Sequence, residues 1–408
     1  MKTPQFLRLL ALLSLSVLLI SPESLAQQPV FETIATVFEP GKEYATTRIP
    51  ALVCSKKGTL LAFTEARVQN TGDWADMDIL LRRSTDGGKN WLPVQVFAAR
   101  RPKQPTSNCT PIVDADGKTI HVLYQRNYAN CFYTKSTDEG ATWSEPADIT
   151  YVFEKFRPEY NWKVLAPGPG HAIQLSQGQH KGRLVVPVWL CEPNPTVKYG
   201  DHRPSCIATV FSDDGGKTWQ RGTIVANNGD RIGGDTLVNP SEHIAVELSD
   251  GRVMLNIRSE SAPHRRLVAY SPDGATAWTK PVFDDELFDP VCMASLIRLP
   301  KAGKEKPALL FVNPDSQTDP SMLNPKVNFR KRQNLTAKLS TDDGQTWSVK
   351  KVLDPGNAGY SDVAVGPDGL VYCLYETNAG AAEGWRYHVV LKRFNRAWLT
   401  DNTQTPTK

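Results

Sequence analysis

The sequence lacks the features of membrane-spanning, nucleic-acid-binding and metal-dependent proteins. Beyond residue 20 it has no run of about 18 apolar residues, so we expect no membrane span in the mature chain. The net charge is only +4 over 408 residues, without the basic stripe that a nucleic-acid-binding protein carries. No CxxC pair or His-rich spacing indicates a metal site, and we expect no cofactor. An anionic substrate must therefore be held by a few local cations.

Cysteine is scarce, with seven residues in the whole chain. Because the number is odd, at least one thiol stays free even if the others form disulfides. Cys109 with Cys131, and Cys191 with Cys206, are close in sequence and are candidate pairs, although sequence alone does not decide the pairing.

The first 26 residues predict a secretory signal peptide. Lys2 and Arg8 form a basic start, residues 9–20 are apolar but too short to span a bilayer, and residues 24–26 (Ser-Leu-Ala) offer a cleavage site. The alternative is an uncleaved membrane anchor. We expect the protein to be exported, to the periplasm or the cell exterior, where disulfides can persist.

A turn motif recurs at intervals of about 50 to 80 residues. Its pattern is Ser-x-Asp-x-Gly-x-Thr-Trp, with Asn90 in place of Thr in the first copy and a degenerate fourth copy. The side chains of Ser and Asp can bond backbone N–H groups of a tight turn, and Gly can take a positive φ. Apolar runs typical of strands flank the copies. The copies begin at Ser84, Ser136, Ser212, Ser271 and Ser340.

These segments resemble the Asp boxes of sialidase-type propellers. The resemblance implies an all-β, six-bladed β-propeller of four-stranded antiparallel blades, in which the Asp-box carboxylates are structural. A strand near residues 31–38 is expected to close the ring and cover the exposed edge. We interpret residues 27–402 as one propeller domain and residues 403–408 as a polar tail.

The N-terminal third of the chain has the motif order of sialidases. Arg48 lies in an Arg-Ile-Pro motif, a strand then ends at Arg67, and a loop and a further strand lead into the first Asp box. By this resemblance Arg48 binds the carboxylate of a sialic acid, Arg67 contacts the sugar, and Asp73 is the general acid/base. Asp76 and Asp78 are rivals for the acid role.

The later motifs supply the remaining site residues that the resemblance implies. Glu242 is the expected base, with Glu247 as the alternative, and Arg258 in a Leu-Asn-x-Arg-Ser motif is the second carboxylate ligand. Arg332 is the expected third ligand of the carboxylate, with Arg330 as the alternative. A Gly-Pro-Gly turn at residues 168–170 also resembles one found in sialidases, where glycine would let the backbone approach the sugar.

Tyr360, in a Tyr-Ser-Asp motif, is the expected nucleophile. Sialidases use a tyrosine where most glycosidases use a carboxylate. A neutral phenol avoids repulsion by the substrate carboxylate, and Glu242 can accept the phenol proton. Three guanidiniums can hold that carboxylate by planar charge-assisted bonds, and we expect them to lower the pKa of the phenol. The pKa of Asp73 should rise when substrate covers it.

The resemblance implies a retaining exo-α-sialidase that acts on sialylated glycans, glycoproteins or glycolipids, and we expect a monomer. A trans-sialidase, or a sialidase for the deaminated sugar, would use the same residues. A non-catalytic propeller that binds sialoglycans would keep the arginines but lose Tyr360, Glu242 or Asp73. All three residues are present in the sequence.

Overall fold

The computed structural model describes residues 28–401 except 197–199, 302–305, 319–329 and 382. The predicted signal peptide and the polar tail lie outside the described residues. Within the described part, no helix is both long enough and apolar enough to cross a membrane.

Short strands joined by tight turns make up almost all of the described chain. The strands are β1 (Phe31–Phe38), β2 (Thr46–Cys54), β3 (Leu60–Arg67), β4 (Met77–Ser84), β5 (Gln95–Ala98), β6 (Thr106–Val113), β7 (Ile120–Arg126), β8 (Asn130–Ser136), β9 (Ala147–Asp148), β10 (Val164–Pro167), β11 (Ile173–Gln174), β12 (Leu184–Cys191), β13 (Ser205–Ser212), β14 (Gln220–Asn227), β15 (Arg231–Ile232), β16 (Asp235–Thr236), β17 (His243–Glu247), β18 (Val253–Ile257), β19 (Arg265–Ser271), β20 (Val282–Phe288), β21 (Ser295–Leu299), β22 (Ala308–Pro314), β23 (Gln333–Ser340), β24 (Val349–Asn357), β25 (Ser361–Val365), β26 (Val371–Thr377) and β27 (His388–Phe394). Two short α-helices, α1 (Thr150–Glu154) and α2 (Arg396–Thr400), and two 3₁₀ turns, Gly200–His202 and Ser316–Thr318, complete the elements.

The strands form six antiparallel blades, which confirms the predicted propeller. Five blades follow the chain, as β2–β5, β6–β9, β10–β14, β17–β20 and β21–β24. The sixth combines β25, β26 and β27 with the N-terminal strand β1, which pairs with β27 from Phe31 opposite Phe394. This pairing joins the two ends of the described chain and covers the edge of the last blade, as expected. The small hairpin β15–β16 lies outside the blades.

Apolar side chains fill the spaces between neighbouring blades. Strands such as β3 and β12 are buried at every position, because both faces of each blade pack against a neighbour. Phe63 of the first blade and Tyr124 of the second share one buried cluster, and Leu335 of the fifth and Val390 of the sixth share another. Burying each such side chain contributes about 1.5–3 kcal/mol.

The Asp boxes hold their own turns, each at the end of the third strand of a blade. Ser84 Oγ donates to Asp86 Oδ1 (2.8 Å), and the backbone N–H and side-chain amide of Asn90 both bond the same carboxylate (2.9 and 2.7 Å). These hydrogen bonds lower the pKa of Asp86 to about 2. In the degenerate fourth copy, Thr276 takes over both bonds to Asp273 (2.7 and 2.9 Å).

Neither candidate disulfide forms, and all seven cysteines are free thiols. Cys109 and Cys131 contribute to different buried clusters, as do Cys191 and Cys206. Leu190 pairs with Cys206 across β12 and β13, so Cys191 points to the opposite face of the sheet from Cys206. Closeness in sequence was misleading because side chains alternate between the faces of a strand.

The inner strands meet at the propeller axis around Asp362, which is fully buried in β25. Its carboxylate accepts hydrogen bonds from the backbone N–H groups of Leu52 (2.8 Å) and His171 (2.9 Å). It also bonds His171 Nδ1 (2.7 Å) and Ser295 Oγ (2.8 Å). Leu52 belongs to the first blade, His171 to the third and Ser295 to the fifth, so one side chain ties four blades together.

The Gly-Pro-Gly turn lies at the same axis. It splits the inner strand of the third blade into β10 and β11, both of which pair with β12. Gly170 has a φ of +88°, and a Cβ there would collide with the side chain of Met293. The positive φ favours glycine at this position. A contact between this turn and a sugar remains a prediction.

Replacing Asp362 by Ala should destabilise the fold strongly. The change leaves the His171 imidazole and two backbone N–H groups without their buried acceptor, a loss of about 3–5 kcal/mol in the free energy of unfolding. Urea unfolding measures it. The control Asp235→Ala changes an exposed residue and should stay within about 0.5 kcal/mol of wild type. Equal stability of the two variants would contradict the role of Asp362 at the axis.

Candidate functional site

The predicted site residues converge on one face of the propeller. In an antiparallel blade, the first and third strands start on the face where the second strand ends. Tyr360 and Glu242 directly precede inner strands, and Arg48 is near the start of one. Arg258 directly follows the second strand β18, and Arg332 directly precedes the third strand β23. The Asp boxes end third strands and so lie on the opposite face.

Tyr360, Glu242 and Arg258 form the centre of the site. The Tyr360 hydroxyl lies 2.6 and 2.7 Å from the two carboxylate oxygens of Glu242. Arg258 Nη1 donates to the Tyr360 oxygen (2.6 Å) and also pairs with Glu242. A phenol that donates to a carboxylate is arranged to lose its proton to that carboxylate when its oxygen forms a bond.

The pKa of the Tyr360 phenol is raised well above its ordinary value, although the arginines lower it as expected. Burial is the main cause, and the negative charge of Glu242 adds to it. Arg258 and Arg332 act in the expected direction but are outweighed. The phenol is therefore neutral in the free protein, and any reaction must remove its proton as the new bond forms.

Two further guanidiniums flank the phenol ring. Arg48 and Arg332 have their central carbons 5.6 and 5.1 Å from the ring centre. Arg48 forms a two-pronged pair with Glu376 (3.2 and 2.7 Å), and Arg332 Nη2 donates to the carbonyl of Val291 (2.6 Å). These fixed partners orient the two side chains toward a shared space beside Tyr360.

A buried ion pair supports the site from the fourth blade. Arg266 is fully buried, bonds Asn256 Oδ1 (2.7 Å) and the Cys292 carbonyl (3.0 Å), and lies 3.6 Å from Asp289. Asp289 accepts from the backbone N–H of Ser259 (3.0 Å). In the Leu-Asn-x-Arg-Ser motif, Asn256 thus accepts a hydrogen bond from Arg266, and the backbone N–H of Ser259 donates one to Asp289.

Asp73 lies at the rim of the site, in the loop of residues 68–76 between β3 and β4. Arg67 holds it from below: Arg67 Nη1 donates to Asp73 Oδ1 (2.9 Å) and to the carbonyl of Thr71. The side chain of Arg67 is 1% exposed and also pairs with Glu65 (2.7 Å), whereas that of Asp73 is 48% exposed. Contact between Arg67 and a sugar remains a prediction.

The electrostatic surroundings of Asp73 favour its ionised form. Partial removal from water would raise its pKa, but the positive charges of Arg67 and Arg48 outweigh that effect and lower the pKa to about 2. His202 Nδ1 lies 3.9 Å from the other carboxylate oxygen. In the free protein Asp73 is therefore an anion at neutral pH.

The rival carboxylates are engaged elsewhere. Asp76 accepts the backbone N–H of Lys103 (2.9 Å), and Asp78 is buried against Tyr44 (2.6 Å) and Arg100. Glu247 ends an inner strand, and so belongs to the opposite face.

The alternative cation, Arg330, has a different partner. Arg330 is exposed and pairs with Glu260 (2.7 Å), whereas Arg332 faces Tyr360. The structure thus places Arg332 beside Tyr360, although Arg330 and Arg332 line one cavity, as do Asp73 and Asp76.

The sequence interpretation missed Glu376, which is buried at the end of β26. Its carboxylate binds Arg48 and the backbone N–H of Ile49 (3.0 Å). A single acidic residue in the otherwise apolar run of β26 is the signal that could have revealed it. Among the described residues, no group of three or more His, Cys, Asp or Glu side chains is placed to hold a metal ion.

Comparison with known proteins identifies the family. The family model of the BNR repeat-like domain matches residues 58–373. A sialidase of Micromonospora viridifaciens is 34% identical over 388 residues, which cover 88% of this chain and 53% of that protein. A sialidase-2 of Cricetulus griseus is 30% identical over 379 residues, covering 84% of this chain and 91% of that protein. The chain belongs to the sialidase family.

Length and fold agree with membership of the sialidase family. The chain spans about half the length of the Micromonospora relative and most of the Cricetulus relative. Among solved structures, the Hadza microbial sialidase Hz136 aligns with a TM-score of 0.68 at 25% identity, covering 88% of this chain and 67% of that one.

Asp73 of this sialidase-family chain should stay ionised in the free protein down to about pH 2–3, because its pKa is lowered to about 2. Carboxyl NMR titration measures this, with the Asp73 signal assigned by its loss in Asp73→Asn. Replacing Arg67 by Met removes the strongest attraction and should move the pKa of Asp73 up toward or above 3.8. An ordinary pKa in the wild-type protein would contradict the electrostatic description of the loop.

Proposed function

We propose that the chain is a retaining exo-α-sialidase that releases terminal α-linked sialic acids from glycans, glycoproteins or glycolipids. One observation carries the proposal: a phenol hydrogen-bonded to a carboxylate stands among three guanidiniums at the propeller face. The cations suit a substrate whose reacting carbon bears a carboxylate, and the phenol supplies a nucleophile without negative charge.

Binding of the substrate carboxylate is the task of Arg48, Arg258 and Arg332. Guanidiniums remain charged at any working pH and offer N–H groups in a plane, so they match a carboxylate closely. Glu376 and the Val291 carbonyl hold two of the arginines in place before substrate arrives. Little side-chain ordering is then needed on binding, which favours affinity.

In the first step, the Tyr360 oxygen attacks the anomeric carbon of the sugar. Its proton passes to Glu242, the bond from the anomeric carbon to the leaving oxygen breaks, and Asp73 protonates that oxygen. The product is a covalent sialyl-tyrosine. In the second step, Asp73 takes a proton from water, the water oxygen replaces the Tyr360 oxygen, and Glu242 returns the proton to the phenol. Two inversions at the anomeric carbon give overall retention.

Asp73 has to gain a proton before it can act as the acid. The substrate carboxylate offsets the positive charge of Arg48, and the bound sugar removes water from the loop; both changes raise the pKa of Asp73. Arg67 stays beneath the loop and keeps the Asp73 carboxyl at the rim, where the leaving oxygen would lie. We propose that Arg67 also contacts the sugar once Asp73 is protonated and releases it.

Export through the predicted signal peptide would place the enzyme in the periplasm or outside the cell, where sialylated glycans are accessible. Transfer to an acceptor other than water, or preference for the deaminated sugar, would use the same residues. A binding-only propeller would have no need of Asp73 on a loop at the same face as the Tyr360–Glu242 pair.

Tyr360→Phe should abolish hydrolysis. The variant keeps the ring that packs against Ile49 and Cys292 but lacks the attacking oxygen, so release from a fluorogenic sialic-acid glycoside should fall at least about 10³-fold. Tyr151→Phe, at an exposed tyrosine on α1, is the control and should retain full activity. A 3-fluorinated sialosyl fluoride should label wild type on the peptide that contains Tyr360. Similar rates for Tyr360→Phe and wild type would exclude Tyr360 as the nucleophile.

Asp73→Asn should slow the reaction of substrates whose leaving group needs a proton much more than that of substrates whose leaving group does not. Hydrolysis of a sialoside with an alkyl-alcohol leaving group should fall about 10²–10⁴-fold, because the alkoxide must be protonated as it leaves. Formation of the covalent intermediate from an activated aryl sialoside should change much less. Steady-state and burst kinetics on both substrates measure the contrast. Equal losses on the two substrates would argue that Asp73 is not the acid.

A further inference from the structure

A cavity of about 850 Å³ is lined by Asp73 but not by Tyr360. Asp73 and Trp74 line it from the 68–76 loop, and Lys103, Asp201 and His202 line it from neighbouring segments. The reaction proposed above accounts for Asp73 and leaves the rest of this space without a role.

Trp74 exposes an indole into a space that protein side chains leave open. It is 43% exposed, one of few large apolar residues so exposed among those described. Its ring nevertheless packs against Tyr128, with ring centres 4.8 Å apart, and lies 5.7 Å from the ring of His202. Tyr128 and His202 are in turn within 4.8 Å of each other and border Trp189. The indole is therefore fixed from one side and open on the other.

The backbone of the loop limits its movement. Val68 N–H bonds the Asp76 carbonyl (2.9 Å), and Asp76 holds the Lys103 N–H (2.9 Å). Arg67 bonds both Thr71 and Asp73 from below. A ring held in this way keeps its orientation without a ligand, so little conformational entropy is lost when one binds.

We propose that Trp74 is the stacking surface for the sugar that leaves, and so forms a subsite for the residue to which sialic acid is attached. This inference rests on the proposed function. The acid must contact the oxygen that joins the two sugars, so the second sugar lies on the side of Asp73 away from Tyr360; the cavity is lined by Asp73 and not by Tyr360, as such a subsite requires. The apolar face of a pyranose such as galactose fits an indole, and Lys103 and Asp201 can bond its hydroxyl groups.

The test compares two substrates that both need an acid but differ in the size of the leaving group. Methyl α-sialoside leaves as methanol, whereas sialyllactose leaves as a disaccharide that can reach Trp74. For Trp74→Ala, kcat/KM on sialyllactose should fall about tenfold, and kcat/KM on methyl α-sialoside should change by less than about twofold. Trp74→Phe, which keeps an aromatic ring, should recover most of the loss.

A matched control separates stacking from a general effect of removing an exposed aromatic ring. Tyr151→Ala removes a similarly exposed ring far along the chain from the cavity and should alter neither substrate. Equal losses of Trp74→Ala on both substrates would show that Trp74 only holds the loop, and unchanged rates on both would show no contact; either overturns the inference. Failure of wild type to cleave either substrate would instead overturn the proposed function, and the inference with it.

Discussion

The carboxylate of Asp362 is the interaction on which the arrangement of blades depends. Each blade is a twisted sheet that packs against its neighbours through apolar side chains, and such contacts are not directional. The hydrogen bonds of Asp362 are directional, and they fix the inner strands of the first, third and fifth blades relative to β25. Tyr360 directly precedes that strand, two residues before Asp362. Asp362 therefore fixes both the packing of the blades at the axis and the position of the Tyr360 phenol.

The same face has to hold several positive charges close together without substrate. Each guanidinium has a fixed partner: Glu376 for Arg48, Glu242 for Arg258, the Val291 carbonyl for Arg332, and Glu65 with Asp73 for Arg67. Pairing reduces the cost of burying like charges side by side, because each cation is compensated locally. It also leaves N–H groups over for a ligand. Arg258 Nε is buried without a protein partner among the described residues.

The repeated turn motif made the fold predictable from the sequence. The residues that hold the site residues in place could not be predicted in the same way. A turn motif such as that at Ser84 indicates a tight turn between two strands. Its repetition along the chain therefore indicates a series of similar antiparallel blades. Motifs also pointed to Tyr360 and Asp73, because each has characteristic neighbours in sequence. Glu376 is different: it meets Arg48 across 328 positions of the chain, and only the closure of the ring brings them together. The raised pKa of the phenol likewise depends on burial, which sequence does not report.

The proposed acid, Asp73, and the proposed stacking surface, Trp74, are neighbours in one short loop, and this would link two events that could otherwise be independent. With its pKa lowered to about 2, Asp73 is an anion held by Arg67 until something changes its surroundings. In the proposed complex a sialic acid alone would offset the charge of Arg48, but it would leave part of the Asp73 carboxyl, which is 48% exposed in the free protein, in contact with solvent. A second sugar against Trp74 would cover that part and favour the protonated form further. Binding of the leaving sugar and protonation of Asp73 would then be coupled, so that an intact sialoside would raise the pKa of Asp73 more than free sialic acid would.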